Sequence, residues 1–261
     1  MKKFYAIAGI ISGVLLLVGG VLLGIGLMSG ADKNFKLFDK INMSFGMSEL
    51  SVQEYTELDD FSSVDINLNL ADLEIVASDN GEYGIEYKLY SDNIKCDVQN
   101  DSLIFRENKG KIGFNFNLGF LGAEDTYVKI YVPEKELESI KISADMGTIK
   151  LNHIFAKNVN IDADMGSVVF AGMVTETFTA ELDMGSADIE GWLDCDIDVS
   201  CDMGNLDITT YFSSSAYKLN VNSDMGEETF NYNGGTEISS NNFIKADCDM
   251  GSIEITFKDA P

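Results

Sequence analysis

The tripeptide Asp-Met-Gly occurs six times in the second half of the sequence, and this repeat limits what the chain can fold into. Successive copies begin 19, 19, 19, 22 and 25 residues apart. A period near 20 residues with a few insertions is typical of a solenoid, in which each copy forms one coil and stacks on the next. The copies begin at Asp145, Asp164, Asp183, Asp202, Asp224 and Asp249.

Apolar and polar residues alternate around each copy. In the first copy Ile140, Ile142 and Ala144 precede the aspartate at every second position, and Ile149 and Leu151 follow the glycine in the same way. Strict alternation predicts strands with one buried face. We therefore expect an all-β fold, a β-solenoid with about 19 residues per coil.

The alternation also makes a prediction for the six methionines of the repeat. Each methionine lies two positions after the apolar residue that precedes the aspartate. Strict alternation therefore predicts that the methionine side chain points to the interior as well. If each Asp-Met-Gly were instead the tip of a hairpin, six apolar side chains would point at water, which is unfavourable. We therefore expect a ladder of methionines inside the solenoid, with glycine bending the backbone beside each one.

The solenoid domain is predicted to cover residues 61–261. Residues 137–261 hold the repeat coils, whereas 61–136 match the same template less regularly and are interrupted by hairpins, one of them turned by Asn100-Asp101. Terminal repeats of solenoids are often atypical. We therefore expect 61–136 to form an atypical first coil with hairpin insertions.

An apolar run near the N-terminus predicts a membrane span. Residues 4–28 contain no charge, and as a helix they are long enough to cross a hydrocarbon core of about 30 Å. We expect a tail and transmembrane helix over 1–31 and a juxtamembrane stalk with little regular structure over 32–60. A cleaved signal peptide is the alternative, although its apolar region is normally about 7–15 residues. Lysines flank the run on both sides, so charge leaves the orientation open.

The charge balance excludes whole classes of function. The chain carries 43 acidic and 18 basic residues, a net charge of −25. Nucleic acid binding needs a basic surface that neutralises phosphates, so we expect no nucleic acid partner. The single histidine, His153, leaves nothing from which to build a multi-histidine metal centre or most His-based triads.

In a solenoid the six aspartates of the repeat stack along one edge, where like charges about 5 Å apart repel. Either each aspartate accepts a backbone N–H two residues on and closes an Asx turn, or calcium bridges neighbouring coils. Aspartate before glycine at a turn needs no metal, so the Asx turn is favoured and no cofactor is expected. Calcium remains the metal hypothesis, with Asp145, Asp164, Asp183, Asp202, Asp224 and Asp249 as ligands.

Two copies carry insertions at the same corner. The copy at Asp202 gains three residues and the copy at Asp224 gains six. Insertions confined to one edge of a solenoid often build its binding surface, and tolerated loop variation is the alternative. The binding-surface candidates are Ser213, Ser214, Ser215, Asn233, Asn241 and Asn242.

Three passages resemble a known family. These are FSSVDINLNLADLEIVAS (61–78), YVKIYVPEKELESIKISADMGTIKL (127–151) and the strand, glycine corner, strand units that follow. Together they resemble the bacterial putative-adhesin family of β-strand-repeat proteins, a domain of unknown function in membrane-anchored envelope proteins, over about residues 50–261. The resemblance implies a β-helical domain outside the cell membrane, commonly in Gram-positive bacteria, with some relatives tied to envelope stress. It implies no catalytic residues.

We therefore expect a single-pass membrane protein whose solenoid lies outside the cell and acts without catalysis, as an adhesin-like or envelope-stress-related binding module for an envelope protein or polymer. One alternative is a structural solenoid that self-associates at the cell surface, although Lys258, Asp259 and Pro261 at the chain end would blunt an open strand edge. Another is a calcium-dependent carbohydrate-binding or carbohydrate-cleaving β-helix, but no carboxylate pair stands out among so many.

Overall fold

The computed structural model describes residues 50–91, 93–107, 125–232 and 241–258. In those ranges, none of the helical segments has the length and apolar character that a membrane crossing requires. The predicted transmembrane helix over 4–28 and the binding candidate Asn233 lie outside the described residues.

The described chain is almost entirely β-strand. One 3₁₀ turn, Ser214–Ala216, interrupts the strands, and β8 continues through three copies of the repeat. The strands are β1 (Leu50–Glu57), β2 (Ser63–Leu70), β3 (Asp72–Ala77), β4 (Gly84–Tyr90), β5 (Ile94–Gln99), β6 (Ser102–Glu107), β7 (Tyr127–Val132), β8 (Leu137–Leu193), β9 (Asp196–Thr210), β10 (Lys218–Met225), β11 (Glu228–Asn231) and β12 (Phe243–Phe257).

Equivalent residues of neighbouring copies pair in parallel and in register, which confirms the all-β, solenoid-like prediction. Phe178 pairs with Ile197, and Gly185 pairs with Gly204, each 19 residues further along the chain. Each copy thus forms one rung, and parallel strands place successive rungs about 4.8 Å apart.

The rungs do not stack in chain order. Strand β12, which carries the last Asp-Met-Gly, pairs with β9 on one side and with β10 and β11 on the other. The longer spacings of the fourth and fifth copies are explained by this order, because the chain must pass over one rung to form β10 and then return. The expectation that the chain end covers the open edge is therefore wrong: β12 is internal, and β10 and β11 form the last rung described.

At the other end of the stack, too, the order of the rungs differs from their order in the chain. The rung formed by β2 and β3 pairs with β8 on one side and with β6 and β7 on the other. Beyond it, β5, β4 and β1 add antiparallel strands. The stalk prediction is wrong for Leu50–Glu57, which forms β1.

The apolar positions of the alternating pattern fill the interior. Ile140, Ile142 and Ala144 are buried, and so are their equivalents in most rungs. The rings of Phe170 and Phe178 meet edge to face, with centroids 5.1 Å apart. A fully buried aliphatic or aromatic side chain contributes about 1.5–3 kcal/mol to folding, so this column is the main source of stability.

The corners depend on a column of glycines. Gly147, Gly166, Gly185, Gly204 and Gly251 have φ between +132° and +154°. A Cβ built on any of them would overlap the carbonyl oxygen of the rung below, which is Gly166 in the case of Gly185. Glycine is thus required both by the backbone conformation and by the close approach of the rungs. The corner is a bend within a continuous strand, and the Asx hydrogen bond that the sequence favoured stays a prediction.

In-register stacking also brings like charges together. Asp188 and Glu254 pair with Asp207 from the two neighbouring rungs. Partial burial, together with these two carboxylates, raises the pKa of Asp207. The neighbouring Glu190 is the opposite case, because hydrogen bonds from Tyr211 (2.7 Å) and Lys258 (3.1 Å) lower its pKa.

Gly185→Ala should reduce the free energy of unfolding by about 3 kcal/mol or more, since it adds a backbone clash to an unfavourable φ. Gly81→Ala is the matched control, because Gly81 has φ +74° but open space around its Cβ position. It should cost only about 1–2 kcal/mol. Urea denaturation measures both, and equal losses would show that the close approach does not matter.

Asp207→Asn should raise the melting temperature at pH 7 by about 1–2 °C, a small effect because Asp207 is exposed. A raised folded-state pKa means that the native state binds more protons, so stability falls as pH rises above 3.8. The gain should therefore vanish near pH 3. Glu190→Gln should have the opposite sign at pH 7, and thermal melts in which both variants shift alike would contradict this account.

Candidate functional site

The methionines of the repeat lie on the outside of the solenoid, so the prediction of an interior ladder is wrong. Met146, Met165, Met184, Met203 and Met250 are between 38% and 43% exposed. The residue before each aspartate, by contrast, is buried in all five of these rungs. Aspartate and methionine therefore both point outward, and the alternation fails at the corner.

The physical reason is the space inside the corner. The residue before the aspartate already occupies it: the Cys201 Sγ is 3.2 Å from where a Cβ of Gly204 would lie, and the Cys248 Sγ is 3.1 Å from that of Gly251. The carbonyl of the next rung closes the remainder. A methionine side chain has no room there, and the bend turns it to the surface.

The exposed methionines form one continuous ladder. Met184, Met203, Met250 and Met225 pair in this spatial order, and Met146 pairs with Leu70 at the other end. Exposure rises to 65% at Met225 and 53% at Leu70, the two ends of the ladder among the described residues. Neighbouring rungs thus cover part of each side chain and leave an apolar stripe, which we name the methionine ladder: Leu70, Met146, Met165, Met184, Met203, Met250 and Met225.

Rows of polar residues border the methionine ladder. The aspartates of the repeat lie on one side, exposed except for the half-buried Asp145. On the other side, beyond the glycines, the row is small and largely uncharged: the Ser252 hydroxyl donates to the Asn205 side-chain oxygen at 2.9 Å. In every copy, the residue directly before the methionine and the residue two positions after it are neither lysine nor arginine. The stripe is therefore apolar with one acidic margin.

The described residues contain no group of three or more His, Cys, Asp or Glu side chains placed to hold a metal ion. The structure brings Asp145, Asp164, Asp183, Asp202, Asp249 and Asp224 onto one edge, rung by rung, but does not gather them into such a group. Calcium binding at this edge stays a prediction.

The insertion residues belong to the two connections by which the chain passes over one rung and then returns. Ser214 and Ser215 belong to the 3₁₀ turn that leads from β9 past one rung to β10, and Ser213 caps this turn, its hydroxyl accepting a hydrogen bond from the Ser215 N–H. On the return path, Asn242 donates to the Asp194 carboxylate at 3.1 Å, and the Asn241 side chain accepts a hydrogen bond from Lys218. They lie together at one corner, away from the methionine ladder.

An aromatic cluster lies beside this corner. The half-buried ring of Trp192 has its centroid 5.6 Å from those of Tyr211 and Phe212. In the sequence these residues belong to the adjacent apolar pairs Trp192-Leu193 and Tyr211-Phe212, a pattern that does not separate core from surface. Their partial exposure makes the cluster a second, smaller apolar surface.

Comparisons with known proteins give the chain a family. Among curated proteins none matches. Solved structures with a similar chain include a putative cell adhesion protein from Clostridium sporogenes ATCC 15579, 16% identical, with 80% of this chain and 100% of that chain covered and a TM-score of 0.45. A putative adhesin from Bacteroides fragilis NCTC 9343 is 12% identical to this chain. The match covers 79% of this chain and 97% of that chain, with a TM-score of 0.37.

The family model described as Toastrack DUF4097 matches residues 61–261. That range starts at the first residue of the solenoid domain that the sequence predicts and includes every copy of the repeat. The resemblance to a family of β-strand-repeat proteins is thereby confirmed, and the chain belongs to the Toastrack family.

Proposed function

We propose that this protein is a membrane-anchored, extracytoplasmic binding module that contacts an envelope protein or polymer through the methionine ladder, without catalysis. The observation that carries the proposal is the unbroken exposed stripe of seven apolar side chains. Large contiguous apolar patches are uncommon on the surfaces of monomeric proteins and mark contact sites when they occur.

Packing of the core does not explain why methionine recurs at this position of the repeat. Their side chains point away from the core, and the inside of the corner is filled by the residue before the aspartate, beside the glycine. A polar residue at the methionine position would satisfy the fold equally well. Methionine is flexible and polarizable, and it is common on surfaces that adapt to a partner. Its repetition over six rungs is therefore best explained by contact.

The cysteine chemistry supports a non-enzymatic role. Burial raises the pKa of all four thiols, to about 12 at Cys195 and about 11 at Cys96 and Cys201, with a smaller rise at Cys248. The thiolate is the nucleophilic form of cysteine, so these side chains are poor nucleophiles at neutral pH. His153, the one histidine, is exposed on β8 and has φ +55°.

The membrane anchor is proposed from the uncharged segment 4–28, which is long enough to span the bilayer as a helix. A long folded domain after this segment suits a signal anchor with the domain outside the cell. An acidic domain in that position would remain soluble beside an anionic membrane, because like charges repel.

Self-association is the second candidate function, and the open end of the stack favours it. In the described ranges β10 and β11 pair only with β12, so one edge of each strand is unpaired. Leu219, Val221 and Phe230 on that rung are only partly buried. An exposed edge of this kind can pair with another chain.

A tagged full chain that carries Met184→Gln/Met203→Gln/Met250→Gln should no longer capture envelope components, because these substitutions remove the centre of the apolar stripe. The matched control Met184→Leu/Met203→Leu/Met250→Leu keeps the stripe and should retain capture. Quantitative mass spectrometry of the captured fractions is the measurement. If both variants capture the same set as the unmodified chain, the proposed binding site is wrong.

Size-exclusion chromatography with light scattering separates the two candidate functions. A fragment of residues 50–261 should elute as a monomer at all concentrations, because the proposed contact is with another molecule. Filaments or concentration-dependent oligomers that disappear in Val221→Lys, a substitution on the open rung, would favour self-association instead.

A further inference from the structure

We infer that the methionine ladder binds a basic amphipathic helix of a partner protein, laid lengthwise along the stripe. This inference rests on the proposed function and names the chemistry of the partner. It follows from three properties of the surface: its shape, the character of its side chains and the charge beside it.

The shape fits one helix. Seven ladder residues on seven successive rungs give six steps of about 4.8 Å, a stripe about 29 Å long and one side chain wide. A helix rises 1.5 Å per residue, so about 19 residues cover this length. The apolar face of such a helix is itself a stripe, with side chains at every third or fourth position.

The methionine side chains can contact a partner whose apolar residues are spaced differently from the rungs. A helix presents apolar residues about once per 5.4 Å turn, whereas the rungs recur every 4.8 Å or so, and the two drift out of step along the stripe. Rigid β-branched side chains would leave gaps at several rungs. Methionine has three rotatable bonds and fills irregular spaces, so it can contact the helix at every rung.

The charge selects a basic partner. The aspartate row runs parallel to the methionine ladder at its six methionines, whereas Asn69 precedes Leu70, and no lysine or arginine lies in the two flanking positions. Lys245, on the outer face of its rung, is already paired with Asp198 at 2.9 Å. Basic residues along one side of the helix would meet this row, whereas an anionic lipid surface would be repelled.

The test uses the full chain in phosphatidylcholine nanodiscs and a fluorescent peptide of about 19 residues, with leucines on one helical face and lysines beside them. A peptide with glutamate in place of lysine and a scrambled lysine peptide are the probe controls, and binding to empty nanodiscs is subtracted. We expect the chain to bind the lysine peptide, and the glutamate and scrambled peptides at least about tenfold more weakly.

The variants locate the site. Met184→Gln/Met203→Gln/Met250→Gln should weaken binding of the lysine peptide at least about tenfold, and the matched leucine variant should change it by less than about threefold. Asp183→Asn/Asp202→Asn/Asp249→Asn should weaken binding and reduce its dependence on salt. Circular dichroism and urea midpoints establish that the variants remain folded.

The inference is overturned if the glutamate peptide binds as well as the lysine peptide, or if the glutamine variant binds as tightly as the unmodified chain. It is also overturned if phosphatidylcholine vesicles displace the peptide from the ladder, which would assign the stripe to lipid. If no peptide binds although envelope capture still depends on the methionines, the inference fails and the proposed function stands. If capture is also independent of them, both fail.

Discussion

The close approach of backbones at the glycine column is the constraint on which the rest of the structure depends. Each glycine lies against the carbonyl of the next rung, with no space for a Cβ, and this contact aligns the repeats in register. Once Gly185 lies over Gly166, every other position of one rung lies over its equivalent in the next. Sequence repetition is thereby converted into rows of identical side chains, both inside the column and on its surface.

Rows of identical side chains have opposite consequences for apolar and charged residues. Apolar rows inside the column stabilise it, whereas carboxylates stacked on the surface repel one another. At Asp207, partial burial and then the charges of Glu254 and Asp188 raise the pKa. The aspartates beside the methionine ladder are stacked in the same way. Part of this unfavourable energy is available to a cationic partner, because a positive charge beside the row relieves the repulsion between its members.

Alternation in the sequence predicts the strands and their buried faces, because the side chains of an extended strand point to opposite faces in turn. The same rule fails for Met184 and its equivalents, since it assumes that the chain stays straight through the corner. A bend turns two consecutive side chains outward, and only the coordinates show that the residue before the aspartate already fills the inside. The first copy lacks the Asp-Met-Gly motif. The sequence still identifies it, because Val64, Ile66 and Leu68 keep the apolar positions of the repeat.

The order of the rungs could not be predicted, since a loop with a few extra residues can serve either a simple turn or a passage over a neighbouring rung. The observed order links the fold to the proposed surface. Met203 and Met225 are not adjacent, and the last strand of the chain supplies Met250 between them. Until β12 occupies that place, the stripe is broken one rung from its end and the interior of β9 is open. β12 therefore completes both the core and the surface on which binding is proposed.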